Sequence, residues 1–398
     1  MCDVLGQAMA AVPPVGRRRV LAALAAGAAT AAASTVGAGV APAAAGPGGR
    51  SVTGPARTRL VLLGTLGGPL YLDPGRAGTC TALVHEDRVY LVDLGMGAYF
   101  RLVQHQARGG QPTALSQVAG IFFTHLHGDH TTDWPAVYAT GSVNVAHRTA
   151  SPASAATPIQ VFGPGDRGTL PRVFPPTRAA PDPVAPQEPT PGIAGMTRHV
   201  REAFAQDAND RLRDAGIPDP GGLFRVTEID LAGVWDVDPL GVPPRLAAPL
   251  RVWQDGDVTV TATLVDHRPT APAFGYRFDT PRGSVVVSGD TTVSQNLVDL
   301  ARGADYLVHE VIDPDFVDQL TAALPPALAG PVRQHLLTAH TTIEQVGRDV
   351  AAPAGVKTLV LSHLLPGTAP ASRWLQARHG YAGRVVVGRD LLELPLPR

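Results

Sequence analysis

The sequence predicts a layered α/β fold, and three observations support this prediction. Short apolar runs rich in Val, Leu and Ile recur after residue 57, and Gly, Pro or charged turns bound them, as is typical of buried strands. Among them lies one stretch with the apolar spacing of an amphipathic helix. Four of the strand-like runs end at a histidine or an aspartate, namely His125, His267, Asp290 and His363. Because loops at strand ends carry the chemistry of layered α/β folds, this placement favours a functional site.

Residues 1–45 are predicted to be an export signal rather than part of the folded domain. Arg17-Arg18-Arg19 precede an uncharged run, residues 20–45, that is mostly Ala and Gly and ends in small residues. Paired arginines before such a run are typical of the twin-arginine route, and residues 46–57 follow as a linker. The protein is therefore expected to be secreted, periplasmic or located in the cell envelope, with no stable membrane span after cleavage. An uncleaved membrane anchor is the alternative, because the run is long enough to cross a bilayer.

The first part of the domain is predicted to contain four buried strands. The stretch "TRLVLLGTLGG" at 58–68 is an apolar run closed by glycines. The segments "TALVHED" and "RVYLVDLG" form a hairpin around the charged turn Glu86-Asp87-Arg88. The fourth strand is "VAGIFFTH" at 118–125, and the histidine cluster begins where this strand should end.

Residues 163–220 are predicted to be an insertion. Its stretch "PRVFPPTRAAPDPVAPQEPTPG" is too rich in proline for regular structure. A helix is predicted from Met196 to Ala215, with its apolar face formed by Val200, Ala203, Phe204, Ala208 and Leu212. This helix is expected to be either a lid over the site or an ordinary packing helix.

Strands return in the second half, at "VTVTATLVDH", "AFGYRFDTPRGSVVVSGD", "ADYLVHEV", "VKTLVLSH" and "RVVVGRDLLELPL". Residues 280–283 supply the turn of a hairpin. No charge run or repeat marks a second domain, so residues 58–398 are expected to form one domain.

Composition narrows what can hold the fold together. The chain has two cysteines, Cys2 and Cys80, and the first lies before the predicted cleavage point. A single remaining thiol cannot form an intrachain disulfide, so the fold depends on its core and on bound metal. The formal net charge of −1 gives no indication of a nucleic-acid binder.

The stretch "FFTHLHGDH" offers a dense set of metal ligands. Three imidazoles and one carboxylate fall within six positions, at His125, His127, Asp129 and His130. Zn²⁺ prefers these ligand types, and the pair two positions apart cannot share one helical face. The motif therefore fits a loop that divides its ligands between two metals. Further ligands are expected at His267, Asp290 and His363, although each of these alone is typical of a structural residue.

The same residues resemble a known family. The motif "THLHGDH" resembles the signature of the metallo-β-lactamase fold, and its surroundings are similar to the branch of ribonuclease Z and phosphodiesterase-like hydrolases. The motif "LVDLG" resembles the one whose aspartate, here Asp93, orients groups at the metal site. The motifs "DHRPTAPAFGYRF", "SGDT", "AHTT" and "LVLSH" resemble those that place His267, Asp290, His340 and His363 at the site. The resemblance spans about residues 58–394 and implies an αββα sandwich of two mixed sheets flanked by helices.

The resemblance implies a site with two zinc ions, with Mn²⁺ or Fe as possible substitutes. One zinc would be held by His125, His127 and His267, and the other by Asp129, His130 and His363, with Asp290 bridging them. A water molecule between two cations loses a proton near neutral pH, and the bound hydroxide would attack phosphorus or a carbonyl carbon. Asp129 is expected to orient that hydroxide or take its proton, and His340 to protonate the leaving oxygen.

Two departures from this branch argue against nucleic acid as the substrate. His363 is followed by "LLPGTAP", where the ribonucleases usually carry an aromatic residue and an arginine-tyrosine motif. The tRNA-clamping arm with its basic helix is not recognisable either. A small-molecule ester is therefore the expected substrate, and a homodimer is a further expectation because relatives often dimerise.

Three functional hypotheses follow from the sequence. The first is an exported binuclear zinc hydrolase that acts on a phosphodiester or a related ester. The second is a lactone or sulfate-ester hydrolase with the same site, since the nucleophile does not itself choose its electrophile. The third is a non-catalytic zinc-binding exported protein. The third fits less well, because closed structural zinc sites use four protein ligands on one ion and leave no room for water.

Overall fold

Two sheets packed face to face, with helices on their outer faces, form the architecture of the protein. The structure is a computed structural model that describes residues 57–70, 72–110, 113–145 and 157–396. The predicted signal peptide, residues 1–45, and the predicted linker up to residue 56 lie outside the described residues. The predicted αββα sandwich of two mixed sheets is confirmed.

Each sheet contains seven strands. The strands are β1 Thr58–Gly64, β2 Cys80–His85, β3 Arg88–Val92, β4 Val118–Phe122, β5 Ile159–Gly163, β6 Phe224–Glu228, β7 Leu250–Asp255, β8 Val258–Leu264, β9 Phe274–Thr280, β10 Gly283–Val287, β11 Tyr306–Ile312, β12 Thr358–Leu365, β13 Arg384–Val387 and β14 Leu392–Pro395. The first sheet has the order β14-β1-β2-β3-β4-β5-β6, and the second has the order β13-β12-β11-β10-β9-β8-β7. In both sheets one half pairs antiparallel and the other half parallel.

Helices lie between the strands along the chain. They are α1 Ala98–Arg108, α2 Gly128–Thr131, α3 Trp134–Thr140, α4 Ile193–Ala203, α5 Ala205–Ala215, α6 Gln295–Leu300, α7 Pro314–Ala322, α8 Pro326–Ala339, α9 Ile343–Gln345, α10 Ala352–Ala354 and α11 Ala371–Trp374. A π-helical segment, Val346–Ala351, joins α9 to α10. Within the described part of the chain, none of these helices combines the length and the apolar character needed to cross a membrane.

Inner strands such as β1, β2, β11 and β12 are buried on both faces, which explains their unbroken apolar sequence. In β1, Leu60 and Leu62 pack between the two sheets, whereas Val61 and Leu63 pack outward against the helical layer of the first sheet. Successive side chains of a strand point to opposite faces, so a strand inside a sandwich needs apolar residues at every position. The apolar runs of the sequence therefore predict strands of this kind.

The layer between the sheets contains a group of packed aromatic rings. The ring of Phe122 lies 5.3 Å from that of Phe162 in the first sheet, and 5.4 Å and 5.2 Å from those of Tyr276 and Phe278 in the second. Such contacts add to the free energy gained by burying the rings. Phe122 thus packs against aromatic rings of both sheets, and it lies shortly before the histidine cluster in the chain.

Replacing Phe122 with alanine should lower the free energy of unfolding by about 3 to 5 kcal/mol, because it removes a fully buried ring and leaves a cavity. Urea unfolding of the purified protein measures this change. Phe100→Ala is the matched control, since that ring on α1 is 78% exposed and its loss should have little effect. Equal losses in the two variants would contradict the proposed place of Phe122 in the core.

The helix predicted from Met196 to Ala215 is two helices, α4 and α5, separated at Phe204. Helix α4 packs against the first sheet and α3, where the indole of Trp134 donates a hydrogen bond to the Thr197 hydroxyl at 3.0 Å. Every residue of α5 keeps at least partial exposure, and Leu212 is 47% exposed. The packing-helix interpretation therefore agrees with the position of α4.

Candidate metal centre

The structure brings the predicted site residues together at one edge of the sandwich. Three groups of side chains have ligand atoms within 4.8 Å of one another. The first group is His125, His127 and His267; the second is Asp129, His130, Asp290 and His363; the third is His267, Asp290 and His340. The ligands at 125–130 follow β4, His267 follows β8 and Asp290 follows β10. His363 lies late in β12, and His340 follows α8. Ends of strands from both sheets therefore converge at the site.

The first group presents three imidazole nitrogens to one point. Nε2 of His125 lies 3.0 Å from Nδ1 of His127, and Nε2 of His267 lies 3.3 Å from the same atom. Burial, as the largest cause, holds the pKa values of His125 and His267 well below their usual range. Both rings are therefore neutral at physiological pH, which is the form in which imidazole binds a metal.

Hydrogen bonds on the far side of the rings select the tautomer. Nδ1 of His267 donates a hydrogen bond to the carbonyl oxygen of Ala339 at 2.8 Å, so Nε2 carries no proton and has a free lone pair. The hydroxyl of Thr124 donates to Asp93 at 2.8 Å, so it accepts from Nδ1 of His125 at 3.1 Å. Two ring nitrogens with lone pairs thus face Nδ1 of His127, and these three nitrogens would be available to bind a cation.

The second group combines two imidazoles with two carboxylates. Nε2 of His130 lies 3.3 Å from Oδ1 of Asp290 and 3.6 Å from Oδ2 of Asp129. Nε2 of His363 lies 3.3 Å from each of the same two oxygens. Nε2 of His130 and Oδ1 of Asp290 are buried and have no hydrogen-bond partner among the described residues. Buried polar atoms without partners are costly, so this group fits a divalent cation that they would ligate.

Protons and a metal ion would compete for the ligand atoms of this second group. Burial would lower the pKa of His130, but the charges of Asp290 and Asp93 outweigh it and raise that pKa well above its usual range. Burial would raise the pKa of Asp129, but the charge of His130 and the hydrogen bond with His363 outweigh it and lower that pKa. Because metal ligands must lose their protons, binding of a cation here should release protons and weaken at low pH.

Asp290 faces both groups with different oxygen atoms. Its Oδ1 points toward His130 and His363, while its Oδ2 lies 4.0 Å from Nε2 of His125 and 3.8 Å from Nε2 of His267. The preceding Gly289 has φ 61, and a Cβ there would lie 2.7 Å from the carbonyl oxygen of Phe274. Only glycine fits this turn without strain, and the turn aims Asp290 between the two ligand groups.

Asp93 orients the ring of His130. Its carboxylate accepts hydrogen bonds from the backbone N–H and the hydroxyl of Thr124, both at 2.8 Å, and from Nδ1 of His130 at 2.8 Å. The bond to Nδ1 turns Nε2 of His130 toward Asp290. This geometry agrees with the orienting role that the resemblance implies for Asp93.

His340 lies at the edge of the centre and is held by Glu310. Its Nδ1 lies 3.2 Å from Oε1 of Glu310, and the same oxygen accepts from the backbone N–H groups of Thr291 and Thr341 at 3.1 Å. Burial opposes the charge of His340, but the charge and hydrogen bond of Glu310 outweigh it and raise the pKa of His340 to about 9. The structure thus places the carboxylate of Glu310 against His340, where it holds the ring in position.

A cavity of about 350 Å³ opens beside the centre. Its walls come from segment 171–178, from Leu240, from Arg268 and Pro269, and from α8. His335 of α8 lies in this wall, where burial, aided by the charges of His340 and His127, lowers its pKa to about 4. Proline-rich residues rather than the predicted helix therefore border the site. Sequence reasoning missed His335 and the segment 171–178, since neither has a motif or a periodic pattern.

Comparisons with known proteins agree with this geometry. The profile of the metallo-beta-lactamase superfamily matches residues 73–335, more than half of the chain. The chain is 32% identical over 336 residues to a ribonuclease Z of Mycobacterium avium, covering 83% of this chain and 96% of that protein. It is 30% identical over 339 residues to a ribonuclease Z of Mycobacterium tuberculosis, with the same coverage.

A solved structure supports the fold. The short form of human tRNase Z superposes with a TM-score of 0.51 at 19% identity, covering 85% of this chain and 100% of that chain. Family membership thus rests on the sequence matches, and the sandwich architecture agrees with it. The chain belongs to the metallo-beta-lactamase superfamily, with ribonuclease Z proteins among its relatives, and is a metal-dependent hydrolase.

Proposed function

We propose that the protein is an exported hydrolase that uses two zinc ions to cleave a phosphodiester or a closely related ester. The observation that carries this proposal is the position of Asp290, whose two oxygens face two separate ligand groups. A carboxylate placed in this way suits a pair of cations better than a single structural ion.

The ligand groups define which residues would hold each metal. His125, His127 and His267 would hold one ion; Asp129, His130 and His363 would hold the other; Asp290 would contact both. Nitrogen and carboxylate oxygen donors suit Zn²⁺, and they also accept Mn²⁺ or Fe. When bound, the pair supplies Lewis-acid chemistry and acidifies a water molecule to a pKa near neutral.

Two side chains of the centre, Asp129 and His340, would take part in proton transfer. Asp129, with its lowered pKa, stays ionised and can accept a hydrogen bond from the attacking water. His340, held protonated by Glu310, can donate a proton to the leaving oxygen. The two carboxylates of the centre only partly balance two divalent cations. The remaining positive charge favours an anionic ester over a neutral lactone.

Purified protein loaded with zinc and assayed on a bis-aryl phosphate, an aryl sulfate and a lactone tests the proposal. Two zinc equivalents per chain and fastest turnover of the phosphodiester are expected. Preference for the sulfate or the lactone would support the second hypothesis instead. Two bound metals without turnover of any of the three would support a non-catalytic zinc protein. Sedimentation of the same preparation tests the predicted homodimer.

RNA is a second candidate substrate, because relatives that match over 96% of their own length are named ribonuclease Z. Against it, the arginines of α4 and α5 are largely neutralised by neighbouring acids, as in the pairs Arg198 with Glu188 and Arg211 with Asp207. Among the described residues, α4 and α5 therefore do not form a basic helix with unpaired charges. Their net attraction for the phosphate backbone of RNA would be weak. Cleavage of a precursor tRNA by the zinc-loaded protein, at rates above those for the bis-aryl phosphate, would favour the ribonuclease.

Export is expected to depend on the paired arginines of the proposed signal. The double substitution Arg17→Lys/Arg18→Lys keeps the charge but removes the pair, so a protein tagged at its C-terminus should accumulate in the cytoplasm. Cell fractionation measures the exported share, and Arg50→Lys in the proposed linker serves as the control. Unchanged export of the double variant would rule out the twin-arginine route, and recovery of the native protein in the membrane fraction would favour an uncleaved anchor.

A further inference from the structure

The cavity beside the metal centre has an unusual distribution of charge. Three of its lining residues are arginines, namely Arg172, Arg178 and Arg268, while no aspartate or glutamate is among the described residues that line it. The remaining walls are mostly apolar, with Phe174, Leu240, Leu328 and Val332 among them. A pocket of this composition suits a molecule with an apolar body and a negative charge.

The arginines differ in how far their charges are already neutralised. Arg268 forms a two-point ion pair with Asp266 beside it in the chain. Arg172 and Arg178 are exposed, and neither has an acidic partner among the described residues. Two free guanidinium groups therefore stand on one wall of the cavity, and the chemistry proposed for the metal centre uses neither of them.

Hydrogen bonds hold the segment that carries Arg172 and Arg178 against neighbouring loops. Arg167 donates hydrogen bonds to the carbonyl oxygens of Pro269 at 2.7 Å and of Asp238 at 2.9 Å. The backbone N–H of Arg172 donates to the carbonyl oxygen of Pro239 at 3.0 Å. These hydrogen bonds connect the proline-rich segment to the loop that follows His267, so the backbone that carries Arg172 has a defined position relative to the centre.

We propose that the natural substrate carries a second anionic group, separated from the scissile ester by an apolar spacer, and that Arg172 and Arg178 bind this second group. The inference rests on the proposed function, since it assumes that the scissile ester lies at the metal centre. His335 lies in the wall of the same cavity, and burial as the largest cause lowers its pKa to about 4, so it adds no positive charge there near neutral pH. The volume of about 350 Å³ accommodates an aryl or short acyl spacer. A carboxylate and a phosphate share the required chemistry.

Paired substrates test the inference. 4-Nitrophenyl 4-carboxyphenyl phosphate and 4-nitrophenyl 4-phosphonooxyphenyl phosphate carry the second anion, whereas 4-nitrophenyl phenyl phosphate lacks it. In the wild type, kcat/KM should be about tenfold higher for at least one substrate with the second anion, and the better of the two identifies the preferred group. In Arg172→Gln/Arg178→Gln this ratio should fall to near one, chiefly through KM. Arg282→Gln, an exposed arginine in the distant β9–β10 turn, should keep the wild-type ratio.

A binding measurement separates this inference from the proposed function. Calorimetric titration with 4-carboxyphenyl phosphate and with phenyl phosphate requires no turnover, and the wild type should bind the first about tenfold more tightly. If the diesters are not cleaved but this difference is present and is lost in the double variant, the pocket stands and the proposed reaction fails. Equal affinity for both ligands, or a difference that survives in the double variant, would overturn the inference whatever the activity.

Discussion

Asp290→Asn should abolish nearly all hydrolysis and reduce the bound zinc from two equivalents to one or fewer. The substitution keeps the size of the side chain but removes the negative charge that both ligand groups share. The two metal sites of the variant then have one carboxylate ligand fewer between them, so the site with the lower affinity should lose its metal. Because nucleophile and electrophile both depend on the metals, kcat/KM for the bis-aryl phosphate should fall at least ~10³-fold.

Elemental analysis and steady-state kinetics on the same preparation measure both effects. Asp214→Asn is the matched control, since this exposed aspartate lies on α5, away from the centre. Thermal unfolding should show a folded protein that zinc stabilises less than it stabilises the wild type. A variant that keeps two zinc equivalents and more than a tenth of the activity would refute the bridging role of Asp290.

His340→Ala should lower kcat by about 10²- to 10³-fold while both zinc ions stay bound. The side chain is proposed to give a proton to the leaving oxygen, and Glu310 keeps it charged through a hydrogen bond at 3.2 Å. The loss should be smaller than for Asp290→Asn, because the metals and the nucleophile remain. His379→Ala, at an exposed histidine, should leave activity unchanged.

The leaving group distinguishes proton donation from a merely structural role. Phenoxide needs a proton more than 4-nitrophenoxide does, so His340→Ala should slow a phenyl ester more than a nitrophenyl ester. The proton is present below the raised pKa, so wild-type kcat should decline as the pH rises toward about 9, and the variant should lack this limb. Bound cations would lower the pKa of His340 and so shift this decline in kcat to lower pH. Loss of one zinc equivalent in the variant would show instead that His340 is a ligand.

The local sequence was sufficient to predict several buried strands and a cluster of candidate metal ligands, whereas the αββα sandwich was implied by the resemblance to a known family. Strands such as β1 and β12 are buried on both faces, and continuous apolar runs are the direct consequence of that burial. The spacing of His125, His127, Asp129 and His130 is itself a local feature. A loop that supplies several ligands must carry them close together in the chain.

Weakly patterned elements were harder to predict. Strands β6 and β7 lie at sheet edges and are only partly buried, so their sequences lack a strong apolar signal. The helix from Met196 to Ala215 has a convincing apolar spacing, yet Phe204 interrupts it and the second half remains exposed. Periodicity shows that one face can be buried, but only the neighbouring sheet decides how much of that face is covered.

The sequence alone therefore determined which side chains are candidate metal ligands and where most of the buried strands lie, because both depend on residues that are close in the chain or on burial within a strand. Only the tertiary structure decided that the two oxygens of Asp290 face different ligand groups, that Glu310 holds His340, and that Arg172 and Arg178 border a cavity beside the centre. These relations join residues far apart along the chain. Their distances are set by how two packed sheets and the proline-rich segment meet, which no local pattern records.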